Sequence, residues 1–127
     1  MSEELEALGR RAVACKGWRW MPGMLTNHGA RYLGKDGWID RAGRGVVYAD
    51  PNDGEVPDLS DAATLGCLLA LVREAWAGDE WISVTYARQE RRWVVVSCHG
   101  SALLNGGRYI YGATEAEALV AALEAAP

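Results

Sequence analysis

Hydrophobic positions along this chain alternate between helical and strand-like spacing. Between Leu59 and Gly78, Leu65, Leu68, Leu69, Val72 and Trp76 recur three and four residues apart, which predicts one apolar helix face. Ala62, Cys67, Ala70, Leu71 and Ala75 make most of the remaining surface apolar, so this helix is expected to be covered on more than one side. Ser60 or Asp61 can cap its start by accepting from free backbone N–H groups, and Gly78 suits the left-handed position after its end. Gly66 costs about 1 kcal/mol of helix propensity relative to alanine. Close approach of a neighbouring backbone is the expected return.

Two further helices carry their own signals. Ser2 to Cys15 has a capping serine, early glutamates and a stripe of Leu5, Leu8, Ala12 and Cys15. Thr114-Glu115-Ala116-Glu117 is a capping box, and the helix it opens, through Ala126, aligns Leu119, Val120 and Leu123. Trp81–Tyr86 and Arg92–His99 alternate and are rich in β-branched and aromatic residues, which predicts a hairpin turning through Arg88-Gln89-Glu90-Arg91. Asn105-Gly106-Gly107 is a turn leading to a short strand at Arg108–Tyr111. Near the N-terminus, Trp18 and Trp20 share one face of an expected extended segment that Pro22-Gly23 ends. Residues 27–58 read as a loop-rich insertion within one domain spanning 1–127. Short extended pieces at Ala30–Leu33, Gly37–Asp40 and Gly45–Ala49 make a meander the alternative to a long loop. The predicted class is α+β, an antiparallel sheet packed with helices.

Composition narrows the chemistry. The chain has 127 residues, enough for one buried core, and carries a formal net charge of −4. That balance argues against direct nucleic-acid binding, which works by phosphate neutralisation. Six tryptophans and five tyrosines stand beside no phenylalanine, a set suited to half-buried and ligand-stacking faces as well as cores. Cys15, Cys67 and Cys98 are odd in number and far apart, which predicts reduced thiols in a cytoplasmic setting. No leader or membrane segment is expected.

Leu5–Met24, Pro57–Trp76 and Thr114–Ala126 resemble small hypothetical proteins of tailed phages and prophages. The layout is similar to the phage "ABA sandwich" domain: an N-terminal helix ending in a Trp-containing strand, a Ser/Asp-started central helix, a Trp-flanked hairpin and a Glu/Ala-rich final helix. Asn27–Glu55 stands outside the resemblance. It implies fold and origin, brings no catalytic residues, and by analogy suggests counter-defence in the cytoplasm of an infected bacterial host.

The candidate ligand-binding set is Trp18, Arg19, Trp20, Tyr32, Trp38, Arg41 and Arg44. Indole faces can stack bases at about 1–3 kcal/mol each, and guanidinium groups can fork onto phosphate. The competing reading turns Trp18 and Trp20 into the core. An acidic stretch of Asp50, Asp53, Glu55, Asp58 and Asp61 is the alternative, a docking face for a host defence protein, unless it is only a solvated turn. Cys98-His99 with His28 and Cys15 has no standard zinc spacing, so no metal is expected. The Gly-rich run Arg41–Gly45 matches no phosphate-loop pattern, and Arg88, Glu90, Arg91 and Arg92 read as a solvated hairpin tip. The expectation is a non-enzyme without cofactor that sequesters a small nucleotide-like ligand, with oligomerisation through the helices as one way to build pockets; a housekeeping or structural phage protein with neither role is the third reading.

Overall fold

The computed structural model describes residues 2–34, 38–41, 46–48, 54–76, 81–97 and 109–127. They form three helices and two three-stranded antiparallel sheets, an α+β fold. The chain divides into two compact units, one from Met1–Ala14 with Arg19–Cys67 and one from Cys15–Trp18 with Leu68–Pro127.

In the first unit, α1 (Glu3–Val13) starts where the Ser2 side chain accepts from the Leu5 amide at 3.2 Å. Glutamates occupy its positive end and arginines its negative end, in the sense that complements the helix dipole. It buries Leu8, Gly9 and Ala12. A methyl group at Gly9 would run into the Val56 side chain and stand 3.0 Å from the Pro57 carbonyl oxygen, so glycine permits this approach. Three short strands, β1 (Ala30–Tyr32), β2 (Trp38–Arg41) and β3 (Val46–Tyr48), make a meander in sequence order. The extended pieces expected in the insertion are therefore strands.

The stretch from Trp18 to Met21 is not a strand. Turn bonds engage its two ends: the Trp18 amide donates to the Cys15 carbonyl and the Met24 amide to the Met21 carbonyl, each at 3.1 Å. Gly23, at φ 101°, then reverses the chain, and its amide donates to the Tyr32 carbonyl at 2.8 Å. Trp20, Met24, Ala30, Val56 and Leu59 form the apolar interior of this unit, together with the buried hydroxyls of Thr26 and Thr64.

Helix α2 (Ala62–Ala75) gives its residues through Cys67 to the first unit and those from Leu68 to the second. Its full burial is confined to Thr64, Leu68, Leu71 and Val72, while Leu65, Leu69 and Trp76 are half-buried. The expected cover on several sides is thus partial. Gly66 corrects a second expectation, since a methyl group there would meet nothing among the described residues within 4 Å.

The second unit sets α3 (Glu115–Ala125) against the sheet β4 (Ile82–Ala87), β5 (Arg92–Ser97) and β6 (Ile110–Gly112). The Thr114 hydroxyl accepts from the Glu117 amide at 3.1 Å, and the Glu117 carboxylate reaches back to the Ala113 amide at 2.9 Å, one residue before the expected partner. Ala116, Ala118, Leu119, Val120, Ala122 and Leu123 are buried. The close backbone approach expected at Gly66 occurs at Gly112, where a methyl group would fall on the Ala118 amide nitrogen and 2.7 Å from the Glu117 carbonyl carbon. No helix among the described residues is long and apolar enough to cross a membrane.

Candidate functional site

Strand register fixes which side chains of the second sheet share a face. Tyr86 lies opposite Trp93, which lies opposite Gly112; Val84 lies opposite Val95, which lies opposite Ile110. Because Gly112 abuts α3, this is the helix-covered face. Ile82 and Val95 are fully buried on it. The other face carries Thr85, Val94 and Tyr111 in one cross-strand row, with Arg92 two residues along β5. Val94 is buried in that row, but Thr85 and Arg92 are exposed.

On this second face the side chains stack. The Arg92 guanidinium sits 3.8 Å above the centroid of the Tyr111 ring. Such a cation–π contact is worth about 0.5–1 kcal/mol at an exposed site. Tyr109 lies edge-on to Tyr111, with ring centroids 6.4 Å apart and planes at 63°. Tyr109 remains 45% exposed, so an aromatic surface is open to a ligand. The β4–β5 turn adds Arg88 and Arg91, both exposed, around a single Glu90. Three arginines against one glutamate make a locally cationic tip on a net-acidic chain. Arg92 thus joins the aromatic stack, and the turn that precedes it in the chain carries further forked anion donors.

Of the residues singled out from sequence, Trp20 is 7% exposed and packs edge-on to Tyr32, with centroids 6.4 Å apart. It is an interior side chain of the first unit. Trp18 is half-buried in the second unit, and the indole nitrogens of both tryptophans are buried. Arg19 is exposed. Trp38 and Arg41 lie on β2, registered opposite Tyr48 and Ala30 respectively. Arg44, Asp50, Asp53, Cys98 and His99 lie outside the described residues. Of the seven candidate binding residues, Trp20 and Tyr32 are thus brought into ring contact.

The described acidic residues serve the fold. The Asp61 carboxylate accepts from Arg31 at 3.2 and 3.3 Å and from the Thr64 amide and hydroxyl at 3.0 and 2.9 Å. It is the N-cap of α2 and the anchor of β1 at once. The Arg31 bond holds the Asp61 carboxyl below the ordinary carboxylate range, the Thr64 bonds help, and the same pair pushes the Arg31 guanidinium pKa up. Burial, helped by the Asp61 charge, raises the Cys67 thiol. Glu55, with a side chain 13% exposed, faces His28 at 3.1 Å. Asp58 holds the Ser60 amide and hydroxyl in a turn, at 3.0 and 2.6 Å. Glu55 and Asp61 are therefore largely withdrawn from display.

A cleft of about 250 Å³ opens in the second unit between Cys15, Lys16, Ala75, Leu123, Glu124 and the last residues. It falls below the roughly 300–1,000 Å³ of ordinary small-molecule pockets, and none of the seven candidate binding residues lines it. Among the described residues, no three His, Cys, Asp or Glu side chains gather as a metal site. No protein-family model, curated protein or solved structure matches this chain.

Proposed function

We propose that this chain is a non-catalytic binding protein for a planar, anionic ligand of the nucleotide type, held on the open face of β4–β6. The observation that carries the reading is the Arg92–Tyr111–Tyr109 stack beside an arginine-rich turn. A base can lie on the exposed Tyr109 ring while the Arg92 guanidinium, seated over the neighbouring Tyr111 ring, meets phosphate, the two interactions that a nucleotide offers together. In the setting suggested by the resemblance to tailed-phage proteins, such binding would make the chain a counter-defence sponge that holds an immune signal without consuming it. The acidic-inhibitor alternative has less support, because Glu55 and Asp61 are turned to internal partners.

A thermal-shift screen against nucleotides, with native mass spectrometry on every hit, tests the proposal. The expected outcome is a shift of several degrees with the ligand recovered intact, and loss of most of that shift in Tyr109→Ala and Arg92→Ala. Recovery of a chemically altered ligand would overturn the non-catalytic reading. A flat response to all nucleotides would end the nucleotide reading and direct attention to a protein target.

A further inference from the structure

We infer that the ligand of this surface contains two nucleotide units, and that Arg91 recognises the phosphate farther from the stacked base. The inference rests on the stacking function proposed above and assigns its ligand class. Tyr109 and Tyr111 are tilted at 63°, so one flat base cannot lie on both rings. Arg92 already occupies one side of Tyr111, leaving Tyr109 as the more open platform. Tyr111 is registered opposite Val94, and Arg92 stands two residues nearer the turn, while Tyr109 stands two residues farther from it. At a rise of about 3.4 Å per residue, the row from Tyr109 to Arg92 extends about 14 Å before the turn begins. A single nucleotide on Tyr109 leaves the arginines of the turn unused, whereas a second unit carries phosphate toward them.

Arg91 supplies an independent reason. It is the one non-glycine residue with positive φ among those described, at 55°. Left-handed backbone is costly for a side-chain-bearing residue, and glycine or asparagine is the usual occupant of such turn positions. A residue in the left-handed region also helps to turn successive backbone N–H groups toward one side, the arrangement that receives anions. A cationic side chain at a position where the fold favours glycine points to recognition as its use. The chain's overall negative charge opposes longer polyanions, which favours a short ligand.

The test titrates the intact protein with a nucleoside monophosphate, a linear two-unit nucleotide and a cyclic two-unit nucleotide. Tighter binding of either two-unit form than of the monophosphate, by about tenfold, is the expected result, since one added charge-assisted contact gives that order of gain. Comparison of the linear and cyclic forms tells which source supplies the second unit. Arg91→Gly suits the backbone, so it should melt no lower than the parent. It should lose most of the two-unit advantage. Equal affinity for one and two units, or an Arg91→Gly protein that binds two units like the parent, would overturn the inference while the stacking function stood. Binding of none of the three would overturn both.

Discussion

The two units reach a folded core by different means. The first has strands of three or four residues, and its tertiary order depends on directional polar bonds. The Thr64 hydroxyl accepts from the Leu25 amide at 2.9 Å, Arg31 donates to the Gly23 carbonyl at 2.7 Å, and the buried Thr26 hydroxyl accepts from the Ala30 amide at 3.1 Å. The second depends on apolar area: Ile82, Val95, Leu119 and Val120 are all fully buried. Polar bonds supplement that packing, with the Trp76 indole N–H donating to the Ala122 carbonyl at 2.9 Å and the Arg73 Nε–H to the Ile82 carbonyl at 2.7 Å. Short strands bury little surface, so a unit built from them needs bonds with fixed geometry to select one arrangement. A sheet already secured by a helix on one side can use its other side for stacking and charge.

Substitutions should separate the two strategies. The largest effect is expected from Leu119→Ala, which leaves a cavity in the second unit and should cost about 2–5 kcal/mol in denaturant unfolding. A cost well under the lower bound would break the contrast, because apolar burial would then not be what secures this unit. Asp61→Ala removes a helix cap and two bonds to Arg31 together, and should cost about 2–3 kcal/mol. Amide exchange at Leu25 and Thr64 should rise with it; unchanged protection at both would show that the polar staple is dispensable.

Acid titration should give the smallest and most local effect. The Asp61 carboxyl is depressed in the folded chain, so its stabilisation is fully present above the ordinary carboxylate range. It is lost as pH falls through the folded value, when the carboxylate protonates. Protection of the Leu25 and Thr64 amides should accordingly decline in strong acid, and Asp61→Asn should remove that pH dependence. A decline of equal size in the variant would place its origin elsewhere.

The elements were legible in the sequence where one local signal decided them. Ser2, Asp61 and Thr114 each cap a helix as their side-chain chemistry suggests, and alternation locates both strands of the β4–β5 hairpin. Trp18–Met21 has the alternation of a strand, but turn bonds engage the Trp18 amide and the Met21 carbonyl at its ends. Gly66 misled because a helical glycine has the same appearance in sequence whether it faces a neighbour or open space. The stacking surface is not legible in the sequence for a different reason. Arg92 and Tyr111 are 19 positions apart in the chain, and register alone brings them together. Read by itself, the arginine-rich turn has the composition of any solvated hairpin tip. The predicted β6 strand was the available clue, since a neighbour to β5 places its tyrosines beside Arg92.

The Thr64 hydroxyl has a consequence for the order of folding. Its bond to Asp61 closes within one helical turn, whereas its bond to the Leu25 amide spans 39 positions. Loop-closure entropy separates these events: the cap needs only local ordering, while the distant contact must first bring a long segment back. Helix α2 can therefore begin with its start already defined and present a finished acceptor to the returning chain. The β4–β5 hairpin needs only a four-residue turn between Ala87 and Arg92, so the surface that carries the arginines can form well before Leu25 finds its partner.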